Sequence, residues 1–263
     1  MAPGIPALRW AAAFWTAVAV SGQFIFVAYV ATVYGGAALR HDLSGWNVVM
    51  QGGYIAGDTR GNLAIGAHLL LAVLVMLGGA LQLLPVLRAR APAFHRWNGR
   101  VYLASAVVAS VTGLYMVWFR GAVGDFTQHL GVSLNGLLIL AFAGMALRTA
   151  MARRFAEHRR WALRLFLAVS GVWFFRIVLM FWIAVHGRPA GFDPKTFVGV
   201  FLSVLSFAQY LLPLAVLELY LRSKERGTPA AQYAMAGLLL VLALATAAGV
   251  AVATMGMWLP RMR

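Results

Sequence analysis

Four of the six histidines fall into a pattern that could do chemistry. His68 and His129 stand in "IGAHLLLAV" and "TQHLGVSLNG", and His95 and His158 in "FHRWNGRVY" and "EHRRWALRLF". His68 is followed by His95 after 27 residues and His129 by His158 after 29, with the two units offset by 61 to 63. In each unit a basic turn lies between the histidines, and the second histidine opens a new apolar run with an arginine beside it. A neutral imidazole supplies one nitrogen to haem iron, so two facing rings in a helical bundle suit a six-coordinate haem b. Arg176, in "GVWFFRIVLMFW", is the other informative residue. An arginine at the centre of a membrane span costs ~2.5–3.5 kcal/mol on insertion scales, and it requires a partner. A haem propionate would provide one as a bidentate carboxylate. Lipid phosphate would serve too, whereas Glu218 lies too near the opposite end of its own segment.

The elements that position these residues follow from composition. Hydrophobic residues make up 62% of the 263 and charged ones only 11%, which places the chain among integral membrane proteins. A hydrocarbon core of ~30 Å needs about 20 apolar residues per helix. Seven stretches qualify, at 9–34, 62–86, 98–118, 127–148, 161–185, 197–221 and 231–255. They are too long for the strands of an outer-membrane barrel. The expected fold is all-α, one transmembrane domain over 1–263 with seven helices, of which helices two to five, at 62–185, form a four-helix core built from the two-helix repeat. Helical rise puts His68 and His129 each ~28–30 Å from the basic turns, in one outer layer, with His95 and His158 in a second layer at the cytoplasmic edge. Gly66, Gly113, Gly131, Gly136 and Gly171 offer close approach for a flat macrocycle. Arg100 and Arg164, one turn beyond the His-Arg pairs, could neutralise propionates of an inner haem or grip lipid phosphates.

The net charge of +15 does not indicate a nucleic-acid partner, because its placement is topological. Thirteen Lys and Arg residues sit in the turns at 86–100, 148–164 and 222–226, and the alternate loops hold few. By the positive-inside bias the basic turns and the N-terminus are cytoplasmic, in a bacterial inner membrane. The absence of cysteine excludes disulfides and thiolate or iron–sulfur chemistry. The first apolar run is too long for a signal peptide and reads as a retained helix. Rival readings are a transporter or small-ligand or lipid-binding protein in which Arg176, with Gln209 and Tyr210, forms an anion site, an outer copper or zinc site, and an assembly subunit. Gln23, Gln82 and Asn135 line a cavity or bond across helices, Pro213 kinks helix six, and the glycine-rich loop at 41–61 could fold over the outer site as a quinol or reductant pocket. His41 and His186 have no matched partners.

"HRWNGRVY", "EHRRWALRLF" and the Arg176 segment together resemble a widespread family of uncharacterised bacterial membrane proteins, over residues 60 to 185. The four-histidine order is also similar to the transmembrane cytochromes of the b-561 class. That resemblance implies two haems, one shared by His68 and His129 and one by His95 and His158, with electrons passed across the membrane. The class carries its inner histidines deeper within their helices than His95 and His158 are expected to lie.

Overall fold

The computed structural model describes residues 5–50 and 52–262. Helices dominate it: α1 (Pro6–Leu39), α2 (Thr59–Leu83), α3 (Pro92–Phe119), α4 (Phe126–Met151), α5 (Phe155–Val169), α6 (Gly171–His186), α7 (Val200–Arg226) and α8 (Pro229–Met262). Six of these are long and apolar enough to span a bilayer, and a seventh is counted if the bent pair α5 and α6 is taken as one span. Leu63, Leu70, Val111, Val204, Leu212, Val241 and Leu244 are all more than half exposed, a girdle that only lipid covers without penalty.

Local signals fix the helix ends. Pro6, Pro92 and Pro229 occupy the first helical turns, where no amide is needed. Asp58 and Asp125 cap α2 and α4, accepting from Gly61 N at 2.9 Å and Gln128 N at 2.8 Å. Because α3 and α5 start at Pro92 and Phe155, His95 and His158 stand inside their first turns rather than just before the helices.

Helices adjacent in sequence pack as hairpins, α2 on α3 and α4 on α5, and α3 also packs on α4. Val75, Tyr102, Ala106, Ile139, Ala143, Leu165 and Ala168 from α2 to α5 meet in one cluster. Two interhelical bonds close the basic end of the first hairpin: Gln82 Nε2 donates to His95 O at 2.8 Å and Asn98 Nδ2 to Gly78 O at 2.9 Å. α1 and α8 pack together along the other side of the molecule, and α6 lies against α8.

The break between α5 and α6 bends the chain by 45°. A serine–glycine pair is a common cause of such kinks. Here Ser170 Oγ donates to Phe166 O at 2.7 Å and accepts from Gln23 Nε2 at 2.9 Å, while Asn135 Nδ2 donates to Ala168 O. The bend re-aims α6 and carries Arg176 toward α1. Pro213, by contrast, is accommodated inside a continuous α7.

At the end of the bundle far from the basic turns, Asp58 pairs with Arg120 at 2.9 Å, and Arg120 also donates to Asn62 Oδ1. The Arg120 side chain is 7% exposed. The guanidinium bond, and then the Gly61 amide, hold the Asp58 carboxyl below the ordinary value of 3.8. A depressed carboxyl contributes stability that is complete above its unfolded-state value and is lost as pH falls through the folded-state one. Asp58→Asn, which keeps a capping oxygen, is therefore expected to lower the melting temperature at neutral pH. The difference from wild type should shrink in acid below about pH 4, read by thermal unfolding in detergent.

Candidate functional site

The structure separates the outer histidines. His68 faces α3, its Nδ1 3.1 Å from Ala109 O and 3.3 Å from Thr112 Oγ1. The face of Gly113 is filled by its ring, with Cε1 3.5 Å from where a Cβ would stand. His129 lies farther along, its ring 6.1 Å from that of Trp118 and its Nε2 3.1 Å from Ala122 O. Gly113, against the His68 ring, and Trp118 are five residues apart on α3, ~7.5 Å of rise. Each outer ring bonds a different main-chain carbonyl, and no hydrogen bond joins His68 to His129. α2 and α4 each pack on α3 rather than extensively on one another.

His158 is within electrostatic range of His95, and no hydrogen bond joins the two rings. His158 Nδ1 is 2.9 Å from Ala146 O, and His95 Nδ1 is buried without a partner. The arginines expected beside them are otherwise engaged. Arg164 makes two bonds to Glu218, at 2.7 and 3.1 Å, and lies over the Trp161 ring. Arg100 stacks over Trp97 at 4.9 Å.

The other glycines do not open a slot either. A Cβ at Gly66 would meet Trp46, at Gly131 Ser206, at Gly136 Leu114 and at Gly171 Asn135. Two surface clefts, of about 460 and 540 Å³, lie between α1 and α8 and between α7 and α8, and neither is lined by histidine. Among the described residues no three His, Asp or Glu side chains converge as a metal site of that kind requires.

Arg176 is where the geometry converges. Its guanidinium lies 5.3 Å from the centre of the Phe26 ring and makes one hydrogen bond, from Nη1 to Val172 O of its own helix at 3.1 Å. Tyr29 and Tyr34 of α1 are within electrostatic range of it, and so is His68. Arg261, exposed near the end of α8, donates to Met257 O at 3.3 Å and is within electrostatic range of the same two tyrosines. Phe26, Tyr29 and Trp258 stack against one another with centroids 5.4 to 6.2 Å apart. Tyr29 is 2% exposed and Trp258 fully buried, yet the Tyr29 hydroxyl and Trp258 Nε1 have no partner. Buried donors of this kind are ordinarily satisfied. The loop at 41–61, expected over the outer histidine site, places Trp46 on this cluster instead: Trp46 is buried, donates to Tyr34 O at 3.0 Å and rests edge-on to the Tyr34 ring.

Two π-helical turns shape the cluster, Ala31–Gly35 in α1 and Thr254–Trp258 in α8, and they carry Tyr34 and Trp258. Such bulges occur often at functional sites because the extra residue re-aims side chains. Gln209 and Tyr210, grouped with Arg176 on sequence grounds, are buried in α7: Gln209 donates to Ser206 O and Tyr210 packs on Gly171. Neither hydrogen-bonds Arg176.

None of the seven acidic side chains neutralises Arg176. Asp58 pairs with Arg120, Glu157 with Arg154, Glu218 with Arg164 and Glu225 with Arg160. Asp42 accepts from Ser44, Asp125 from Gln128 and Ser203, and Asp193 from Lys195 N. Sequence reading found Arg176 and missed Phe26, Tyr29, Tyr34, Trp258 and Arg261. The available signal was that every acid lies in a loop or near a helix end away from Arg176.

No curated protein and no solved structure is detectably similar to the chain. Residues 65–220 match the profile of the family described as predicted membrane protein DUF2306, a stretch that includes all four patterned histidines and Arg176. That match covers more than half of the chain, which therefore belongs to the DUF2306 family of membrane proteins.

Proposed function

We propose that this protein is a membrane-embedded binding protein for a small organic anion, held at Arg176 between the two α1 tyrosines. The observation that carries the reading is a guanidinium inside a span with no acidic side chain paired to it, packed on the Phe26 ring of an aromatic cluster whose Tyr29 hydroxyl and Trp258 Nε1 are buried and unpartnered. A carboxylate placed there accepts a bidentate pair from the guanidinium and a further bond from the Tyr29 hydroxyl, the geometry for which arginine is suited. Arg261 adds a second positive charge and Trp46 excludes water, which strengthens each bond. Anything that binds only the folded state stabilises it by mass action. Millimolar butyrate is therefore expected to raise the melting temperature of the detergent-solubilised protein and to leave Arg176→Gln unmoved. An equal rise in both proteins would rule out the site.

A second reading rests on His95 and His158. An imidazole that bonds a carbonyl through Nδ1 keeps Nε2 for a metal and is oriented for it, as His158 is by Ala146 O. With His95 beside it, the pair would supply both axial nitrogens of a haem b, and the haem would supply electron transfer to or from a quinol or other small reductant. Arg100, which has no acidic partner, is the residue to meet a propionate there, since Arg164 already holds Glu218. Purified protein expressed with ample haem should then show a Soret band that His158→Ala removes. A colourless preparation would dispose of this reading and leave the anion site untouched.

A further inference from the structure

We infer that the cleft between α7 and α8, at the basic end of the bundle, binds an anionic glycerophospholipid, its phosphate at Arg222 and Arg226 and an acyl chain along Leu219 and Leu238. This site is separate from Arg176 and does not depend on the anion reading above.

The cleft has a volume of about 540 Å³, within the ~300–1,000 Å³ usual for small-molecule sites. Both arginines line it directly, with Leu219 of α7 and Ala231, Ala234 and Leu238 of α8. Its polarity is graded along its length. Leu219 lies seven residues before Arg226 and Leu238 seven after Ala231, so ~10 Å of rise on each helix separates the charged mouth from the apolar inner end. A phospholipid has the same profile, with phosphate at the membrane edge and hydrocarbon inward. Leu219, Arg222, Arg226, Ala234 and Leu238 are all exposed, so the cleft opens toward the surrounding lipid.

Charge names the occupant. The acids of α7 are committed to α5: Glu218 holds Arg164 and Glu225 holds Arg160, each at 2.7 Å. Among the described residues the four ion pairs involve Arg120, Arg154, Arg160 and Arg164, which leaves Arg222 and Arg226 uncompensated one helical turn apart. The polar atoms of the turn between α7 and α8 are already paired. Ser223 Oγ donates to Ala231 O at 3.2 Å, and Thr228 Oγ1 accepts from Ala231 N at 3.3 Å. A phosphodiester therefore falls to the two guanidinium forks, whose geometry suits it. Basic pockets between membrane helices are a recurrent place for anionic headgroups. A zwitterionic lipid would bring an ammonium group to the same mouth, where both nearby carboxylates are taken.

The test uses the full chain, delipidated in detergent, with phosphatidylglycerol as the probe and phosphatidylcholine of the same acyl chains as the comparison, read by native mass spectrometry and thermal shift. Wild type is expected to retain phosphatidylglycerol in preference to phosphatidylcholine. Arg222→Gln with Arg226→Gln should lose at least about tenfold in phosphatidylglycerol affinity. Arg88→Gln with Arg90→Gln, which removes the same charge from another exposed basic turn, should bind as wild type does. Ala234→Trp, which fills the apolar part from a lipid-facing position, should also weaken binding. If the two double variants lose affinity equally, the lipid answers to general surface charge and the inference fails. Equal retention of phosphatidylcholine, or an equal thermal shift with inorganic phosphate alone, would also overturn it. Arg176→Gln is expected to bind phosphatidylglycerol normally, so failure of either site leaves the other standing.

Discussion

Arg176→Met is expected to raise the melting temperature of the ligand-free protein while abolishing its response to butyrate. A charge in the hydrocarbon region costs ~2.5–3.5 kcal/mol on insertion scales, and methionine of similar length returns part of that. The side chain loses one hydrogen bond to its own helix, and the contact with the Phe26 ring survives as a sulfur–aromatic one. Binding moves the other way. Hydrogen bonds to a charged group contribute ~1.5–3 kcal/mol each, so removing the guanidinium lowers affinity for a small carboxylate by on the order of 100-fold. Opposite signs for stability and binding distinguish a recognition residue from a structural one. A variant that melts lower than wild type and still shifts with butyrate would show that Arg176 serves packing alone. Differential scanning fluorimetry with and without the anion reads both effects in one experiment.

Gly22→Leu should damage both stability and binding. Gly22 is the close-approach point of α1 with α8 and α6: a Cβ there would stand 2.5 Å from Val250 Cγ2 and 2.8 Å from Trp173 Cζ2. Trp173 is fully buried, so it has no room to withdraw. Small residues at such crossings let membrane helices gain packing contacts that lipid cannot offer. Forcing a larger side chain in costs about 1–3 kcal/mol. The displacement falls one turn before Phe26, which floors the arginine, and it shifts Tyr29 behind it. A lower melting temperature together with loss of the butyrate shift is the expected outcome. Gly22→Ala should lie between the two proteins. A leucine variant with wild-type stability and binding would contradict the packing described for α1.

The parts of this molecule fixed by short-range chemistry were legible in its residues. Apolar runs of 20 or more set the number of spans, and the basic turns marked one end of the bundle. Arg176 was conspicuous because a charge inside an apolar run has no local explanation.

Tertiary structure decided what faces what. His68 and His129 share an order and a spacing from the basic turns, but the rotation of each helix about its axis turns one ring to Ala109 and the other to Ala122. Periodicity alone does not fix that rotation when the apolar residues run all round a helix, as they do in lipid. The π-turns at Ala31–Gly35 and Thr254–Trp258 have no composition that announces them, yet they aim Tyr34 and Trp258 into the arginine's surroundings. Trp258 lies 82 residues from Arg176 and stacks on Phe26 and Tyr29 only because α8 packs along α1 and α6. The sequence determined that a cation inside a span needs a counter-charge. Only the packed helices showed that none of the seven acidic side chains supplies one, because that depends on where each of them ends up in space.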